Sequence, residues 1–541
     1  MGTFYAPSLE VTQEDGTEEV QPDVTKMDGS VLASWKARLS QLDHPAMVAR
    51  YADVLWDLSQ TIAPTLPREF KIGQTAVDAY QQAAKEGLSH TPTLDLQRAL
   101  DIAVELNEAG RIDAVCDQLL TLSEQAPMNH IGIWISAAHA FEGKNKVSEV
   151  HRKRMICGLE ARLVNAASLP NGYAAQSAGN ALLKVYKRNV NIEDRNRVLR
   201  VIAETYLRQS RKADAGVAIA WLQSIASLLE KEGLHDGAEV LRLEMEKRGP
   251  EAVAAMKTIE VEASIPFEEM DAQLEELISV EHPIVALVRL IYSLIPKCDS
   301  LRKRVKEMEK EFAFYSLIPR SIIGRDGIPK ATIGSSENDM EGRMMEEVVY
   351  ELQANFGLFI LGFRKIKEKF GLTVEQIMEF AKLSSLTTGD MYKPLTEALT
   401  AYESGDYSKT ISVLIPQLEA MLRELLKLLE IPTRKGIRNV EGVSELKNMN
   451  DVLSDERVND TLENLVFFLR AVYIDKRALN LRNDFAHGDI PPEGFNEMTG
   501  SLLVMSLVAL AAIGPHTIFR DNELAPEGSV ATEEIDGSIN G

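Results

Sequence analysis

Cysteine is scarce in this sequence. Only Cys116, Cys157 and Cys298 occur among 541 residues, and they are far apart. An odd number of cysteines at such spacing argues against a disulfide framework and against a zinc site. We therefore expect all three side chains to be buried apolar residues.

Long apolar segments are also lacking. The first residues, MGTFYAPSLEVTQEDGTEEV, are acidic and contain no apolar core of the kind found in signal peptides. The most apolar segment, residues 502–513, is twelve residues long, whereas a helix that crosses a bilayer needs about twenty. We predict a cytoplasmic protein without a membrane partner, and a buried helix over residues 502–513.

Positively charged residues are few relative to negatively charged ones. The chain has 59 lysines and arginines against 81 aspartates and glutamates, a net charge of -22. This balance argues against a broad surface that attracts nucleic acid. Acidic residues are concentrated in residues 1–28 and 516–541, and this composition predicts a disordered acidic tail at each end.

Periodic apolar residues predict a mainly all-α fold. A chain of this length exceeds one hydrophobic core, so two or three domains are expected. Residues 29–250 predict an irregular array of helical hairpins, a type of surface that often holds a protein partner or a trigger. Residues 251–400 predict a middle helical section with a small β-hairpin near Gly324 and Gly327. A phosphate-binding loop is less favoured there, because the Walker spacing is missing.

Residues 401–515 predict a compact helical bundle. Apolar residues recur there at steps of three and four, which places one apolar stripe along a helix: Ile411, Leu414, Ile415, Leu418, Leu422, Leu425, Leu426 and Leu429. Glu419 and Arg423 fall off this stripe and are four residues apart. They could pair with each other on the surface, or one of them could reach across a helix interface. Residues 461–473 predict a second helix of the bundle.

The segment LRNDFAHG, residues 481–488, brings Arg482, Asn483 and His487 together where a helix is expected to end. Gly488 is suited to a left-handed C-terminal cap, which places His487 in the final turn. Asn483 and His487 share a helix face, so the amide could orient the imidazole. Arg482 lies about 140° around the helix from His487. Both could act on one phosphate only at a bent helix end or with the help of a second chain.

An ordinary structural role would explain the same residues. Glycine caps helices, histidine is tolerated in a last turn, and Phe485 would pack inward. An arginine and a histidine five or six residues apart also occur together by chance in chains of this length, as Arg38 and His44 do here.

The wider segment LNLRNDFAHG resembles the Arg-Asn-x-x-x-His-Gly signature of a bacterial family of unknown function within the HEPN superfamily of helical ribonucleases and nucleotide-binding domains. Arg482, Asn483, His487 and Gly488 match the signature. The resemblance extends over about residues 400–515 and includes IPQLEAMLRELLKLLEIPT, where Pro416, Glu419 and Arg423 are similar to the first core helix of that family.

The resemblance implies a metal-independent endoribonuclease that needs no cofactor and acts as a homodimer. In that reaction His487 would transfer a proton, Arg482 would stabilise the charged phosphorane, and Asn483 would orient the imidazole, with Glu419 and Arg423 as supporting residues. The products would be a 2′,3′-cyclic phosphate and a 5′-hydroxyl. A role in bacterial defence or as a toxin would follow, with the helical array sensing a trigger.

Basic residues near the signature are candidates for RNA binding: Arg434, Lys435, Arg438, Lys476 and Arg477. Together they could form a local positive site, although such residues more often lie on a solvated surface. The alternative to an enzyme is a non-catalytic helical scaffold whose bundle dimerises or binds a nucleotide.

Overall fold

The computed structural model describes residues 5, 9–12, 18–21, 23–65, 67–167, 169, 172–188, 190–257, 267–312, 314, 317–436 and 442–513. These residues are mostly helical, which confirms the predicted class. The chain forms two compact units, unit 1 (Met1–Ala254) and unit 2 (Ala255–Gly541). Within the described ranges, no helix combines the length and the apolar character needed to span a membrane.

Unit 1 is an array of helices in which each long helix from the first to the eleventh packs against the next long helix along the chain. The helices are α1 (Gly29–Leu39), α2 (Pro45–Ile62), α3 (Phe70–Lys85), α4 (Pro92–Leu106), α5 (Ala109–Gln125), α6 (Ile131–Trp134), α7 (Ser136–Phe141), α8 (Glu149–Ala166), α9 (Tyr173–Arg188), α10 (Ile192–Ser210), α11 (Ala215–Lys231) and α12 (His235–Ala255). Polar side chains start several of them: Ser148, Asn191 and Asp214 each accept a backbone N–H of the first turn. The short α6 and α7 interrupt the series and make the array irregular.

A buried ionic cluster joins α2 and α4 inside unit 1. The Arg98 guanidinium donates through Nη2 to Asp53 Oδ1 at 2.7 Å and to Asp57 Oδ1 at 3.1 Å, and Asp53 has no exposed surface. The Tyr80 hydroxyl also donates to Asp53, at 2.8 Å. Burial and the charge of Asp53 raise the pKa of Tyr80 far above its ordinary value. Two carboxylates are thus held away from water by a guanidinium and hydroxyl groups.

The N-terminal segment differs from the disordered tail that we predicted for residues 1–28. Two short strands, β1 (Leu9–Thr12) and β2 (Glu18–Gln21), pair in antiparallel register, with Leu9 opposite Gln21. The Tyr5 hydroxyl donates to Asp53 Oδ2 at 3.1 Å, so this segment is bound to the cluster on α2. Composition alone misses such an attachment, because it depends on buried carboxylates that are distant in sequence. The predicted tail at residues 516–541 lies outside the described residues.

Unit 2 contains the remaining helices and two further strand pairs. Its elements are α13 (Phe267–Leu277), α14 (Pro283–Leu294), α15 (Cys298–Glu311), β3 (Arg320–Ile323), β4 (Pro329–Ile333), α16 (Met340–Phe370), α17 (Val374–Leu383), α18 (Gly389–Glu403), α19 (Tyr407–Leu428), β5 (Arg434–Gly436), β6 (Ser444–Leu446), α20 (Met449–Leu453), α21 (Glu456–Thr461), α22 (Glu463–Tyr473), α23 (Leu481–His487) and α24 (Glu497–Ala511). The strands pair as β3–β4 and β5–β6. The β3–β4 hairpin is the one that the glycine spacing indicated.

One hydrophobic core runs through unit 2, from Leu274 to Ala512. Its centre is α24, which packs against α14, α16, α17, α18, α19 and α22. The predicted boundary near residue 400 therefore does not separate two cores. The apolar stripe of each helix is visible in the sequence, but the helix against which it packs is not. In the structure, helices from both sides of residue 400 bury their stripes against α24. The predicted helix over residues 461–473 is confirmed as α22, which begins two residues later, at Glu463.

The cysteines follow the expected burial only in part. Cys116 and Cys298 are buried, and burial raises the pKa of the Cys298 thiol to about 11. Cys157 is exposed on α8, so the prediction that all three are buried was wrong for this residue.

The shared core can be tested with Phe359→Ala on α16. Phe359 has no exposed surface and stacks on Phe363, so its removal should cost about 3–5 kcal/mol of unfolding free energy, measured by urea denaturation. Hydrogen exchange should accelerate in both α16 and α24, because they belong to one core. Tyr350→Ala is the matched control, since this side chain of α16 is 57% exposed. Equal destabilisation by the two substitutions would contradict the shared core.

Candidate active site at the signature helix

The signature segment forms α23, a helix of seven residues that is closed at both ends by left-handed backbone. It begins after Asn480, at φ 53°, and ends at Gly488, at φ 74°. The N–H of Gly488 donates to Phe485 O at 3.2 Å, and the N–H of Asp489 donates to Asp484 O at 2.7 Å. The predicted glycine cap is confirmed, and His487 is the last residue of the helix.

A polar contact that the sequence did not indicate holds the start of α23. Asn480 is 3% exposed, and its Nδ2 donates to Asp484 Oδ1 at 2.5 Å. Its Oδ1 accepts a hydrogen bond from Asn483 Nδ2 at 2.8 Å. Asparagine tolerates the left-handed conformation better than most residues, so its presence just before the signature is the one local signal for this turn.

Arg482 points from α23 toward α19. Its Nε donates to Glu419 Oε2 at 3.2 Å, and its Nη1 donates to Asn483 Oδ1 at 3.3 Å. Glu419 also accepts from Arg423 Nη1 through Oε1, at 3.1 Å. The two roles considered for Glu419 are therefore combined, since one carboxylate binds a guanidinium on its own helix and another across the interface. The side chains of Glu419, Arg423 and Arg482 are 19%, 22% and 24% exposed, so all three remain accessible from solvent.

Asn483 is not placed as the sequence suggested. Its amide nitrogen donates to Asn480 Oδ1 and, at 3.4 Å, to Ile474 O, while its oxygen accepts from Arg482. Within the described part of the chain, no hydrogen bond joins Asn483 to His487. Asn483 and His487 do lie four residues apart on one helix, but the buried Asn480 that precedes this helix accepts the hydrogen bond of the Asn483 amide. Asn483 positions the guanidinium of Arg482, and not the imidazole.

His487 is exposed at the end of α23, and its ring makes no hydrogen bond or ion pair with any residue that the structure describes. Arg482 is directed toward α19, about 140° away around the helix. One chain thus presents the guanidinium and the imidazole in different surroundings. Phe485 packs against the hydrophobic core between them, as expected.

The β3–β4 hairpin lies along α23, a placement that the sequence did not indicate. Arg325 Nη1, in the turn of the hairpin, donates to Asp489 O at 3.2 Å. Lys330 Nζ, on β4, lies 3.5 Å from Asp484 Oδ2. These contacts join residues more than 150 positions apart, so local patterns contain no signal for them.

Two of the predicted basic residues, Lys435 and Arg477, are already paired with carboxylates. Lys435 Nζ lies 2.7 Å from Asp451 and 3.3 Å from Glu445. Arg434 is exposed and donates to Ser444 O, and Lys476 is exposed. Arg438 lies outside the described residues. The positive site that we predicted is therefore neutralised in part, at Lys435 and Arg477.

Arg477 is part of an ion network and does not face solvent as a free cation. It contacts Asp475 at 2.8 Å, Asp339 at 3.0 Å and Glu341 at 3.2 Å. Burial acts to raise the pKa of Asp475, but the hydrogen bonds and charge of Arg477 outweigh it and lower that pKa below its ordinary value. Because Asp339 also caps α16, Arg477 ties the segment before α23 to the start of α16.

Unit 1 contains a separate groove between α6, α7, α8 and α9. Its volume is about 1290 Å³. Apolar side chains of Ile135, Phe141 and Met155 line it together with polar side chains of Gln176 and Asn180. The short α6 and α7 leave this space open beside the full-length α9. It is a cavity of suitable character for a ligand or a partner segment.

Residues 25–115 match a family described as a domain of unknown function (DUF7380). This match lies within unit 1 and does not include α23. No curated protein and no solved structure matches the chain. The chemistry of the signature helix must therefore be inferred from its own residues.

Arg477→Gln should destabilise unit 2 by about 1–3 kcal/mol near neutral pH, because three carboxylates lose their common cation. Asp475, with its lowered pKa, contributes stability above the pKa of its unfolded state and loses it as the pH falls through its folded-state pKa. The difference between the variant and the wild type should shrink over that acidic range. Urea denaturation at several pH values measures this difference in unfolding free energy. Lys476→Gln, at the exposed neighbouring residue, is the control. An Arg477→Gln protein as stable as Lys476→Gln would refute the structural role.

Proposed function

We propose that this protein is a metal-independent endoribonuclease whose active site is built from α23 and completed by a second copy of the chain. The observation that carries the proposal is the geometry of the signature. The His487 imidazole is accessible at a glycine-capped helix end. The accessible guanidinium of Arg482 is held by hydrogen bonds to Glu419 and Asn483. A proton carrier and a phosphate-binding group are the two parts that RNA cleavage by its own 2′-hydroxyl requires.

The reaction proceeds by transfer of one phosphoryl group within the RNA. His487 takes the proton of the 2′-hydroxyl while the 2′-oxygen attacks the adjoining phosphorus. The bond from phosphorus to the 5′-oxygen breaks, and His487 returns the proton to that oxygen. The products are a 2′,3′-cyclic phosphate and a 5′-hydroxyl. Arg482 uses N–H groups not bound by Glu419 and Asn483 to stabilise the charge on the phosphorane.

Glu419 and Arg423 act as positioning residues in this scheme. The Glu419 carboxylate bridges two guanidiniums, so Arg482 is held in one orientation before RNA binds. As a consequence, the Glu419 carboxylate neutralises one of the two positive charges of Arg423 and Arg482. The site therefore keeps a net charge of about +1 from these three side chains, and RNA must supply its own close contacts.

A second chain is needed because Arg482 and His487 of one chain face different surroundings. A twofold homodimer would set each His487 beside the Arg482 of the partner, since a symmetric interface repeats every contact twice. The biological setting that we propose is the bacterial cytoplasm, in a defence or toxin system. The groove of unit 1 is the candidate binding place for a protein partner or trigger that controls the nuclease.

A non-catalytic scaffold or nucleotide-binding dimer is the second candidate. It is favoured by the carboxylate partners of Arg482, Arg477 and Lys435, which neutralise part of the positive charge near the signature. In that case the glycine-capped helix is only a structural terminus.

Cleavage of a labelled RNA in excess EDTA tests the proposed chemistry. The wild type should produce cyclic-phosphate and 5′-hydroxyl ends. His487→Ala should lower the rate by about 10²–10⁴-fold and Arg482→Ala by about 10²–10³-fold. His44→Ala is the matched control, because His44 is also an exposed histidine and lies outside both the signature and the groove of unit 1. Equal cleavage by all four proteins would identify a contaminating nuclease, and no cleavage by the wild type would favour the scaffold.

Mixing the two inactive variants tests whether the site is shared between chains. Light scattering should first show a dimer at micromolar concentration. If each site takes Arg482 from one chain and His487 from the other, an equal mixture of His487→Ala and Arg482→Ala should recover about a quarter of the wild-type activity after subunit exchange. A monomer in solution, or exchange without recovery, would contradict the composite site.

A further inference from the structure

The β3–β4 hairpin is fixed in place beside the end of α23. At its base, the fully buried Arg343 of α16 donates to Ile318 O at 2.7 Å and to Gly334 O at 3.0 Å, so it binds the chain on both sides of the hairpin. At the tip of the hairpin, Arg325 donates a hydrogen bond to Asp489 O. Anchoring at both ends means that the tip is positioned before any ligand binds.

The turn itself is tightly closed. Gly324 N donates to Ile328 O at 2.8 Å, and Gly327 adopts φ +79°, which a residue with a side chain rarely does. The Asp326 carboxylate accepts the N–H of Ile328 at 3.0 Å. Asp326 is thus used within the turn, while Arg325 projects from it toward α23.

Arg325 lies close to His487. The carbonyl that it binds belongs to Asp489, two residues beyond His487 along the chain. From backbone dimensions, the guanidinium is within about 13 Å of the His487 Cα atom. A single RNA strand can contact both groups at this separation.

Arg325 also differs in its bonding from three other cations around α23. Arg482, Arg477 and Lys330 each have a carboxylate within 3.5 Å. Arg325 is exposed and makes one hydrogen bond, to a main-chain oxygen, and among the described residues no carboxylate pairs with it. Its remaining N–H groups form a planar fork of the geometry that binds phosphate oxygens.

We propose that Arg325 is an RNA-contacting residue and that the β3–β4 hairpin holds a single RNA strand across His487. Arg325 binds a backbone phosphate next to the one that is cleaved. Lys330 acts as a positioning residue, because its contact with Asp484 keeps the hairpin against α23. This inference rests on the proposed nuclease function and adds to it a substrate-binding element outside the signature.

RNA binding by a protein that cannot cleave tests the inference directly. In a His487→Ala background, Arg325→Gln should raise the Kd for a labelled single-stranded RNA about five- to tenfold at low salt, measured by fluorescence anisotropy. The slope of log Kd against log salt should fall by about 0.7, the value for one lost phosphate contact. Arg302→Gln is the matched control, since Arg302 is an exposed arginine of unit 2 on α15. Circular dichroism of each variant verifies the fold.

The outcomes separate this inference from the proposed catalysis. If the His487→Ala parent binds RNA and Arg325→Gln binds it equally well, the role of Arg325 is overturned and the catalytic proposal is unaffected. If Arg325→Gln weakens binding but the wild type never cleaves RNA, the contact stands and the catalytic proposal fails. If the parent binds no RNA at all, the inference is overturned.

Discussion

The burial of α24 on all sides constrains unit 2 more than any other feature. Residues from Thr499 to Ala511 are all buried, so six helices must pack around this one to keep its apolar side chains from water. Buried polar groups on α24 are matched by hydroxyl partners, as in the hydrogen bonds from Tyr473 to Ser506 and between Tyr402 and Ser501. The chain from α22 to α23 is positioned by that arrangement, and with it the signature.

In the proposed nuclease, the Glu419 carboxylate and the phosphate of the substrate compete for the guanidinium of Arg482. Glu419 holds Arg482 in place but also occupies part of its guanidinium. In the proposed nuclease, a substrate phosphate would share that guanidinium with Glu419, which would give precise placement at the expense of affinity. Such a site has little attraction for RNA over distance, in agreement with a chain of net charge -22. Specific contacts near the scissile bond then matter more than the overall field.

Features of the fold that depend on local sequence were predictable. The apolar stripe of α19, the glycine cap of α23 and the β3–β4 turn each arise within one short segment, and the structure contains all three. The missed features depend on distant pairing. The amide of Asn483 turns to Asn480 and Arg482, Arg477 enters a network with Asp339 and Glu341, and helices on both sides of residue 400 share one core. A periodic pattern shows which face of a helix is buried but not which element buries it.

The attachment of Tyr5 has a consequence for any shortened form of this protein. Its main-chain N–H binds Asp57 and its hydroxyl binds Asp53, and both carboxylates also depend on Arg98. A polypeptide starting at residue 29 would lack both hydrogen bonds from Tyr5, while Arg98 and Tyr80 would still donate to Asp53. Tyr5 is therefore a component of the α2–α4 packing although it lies far from both helices in sequence.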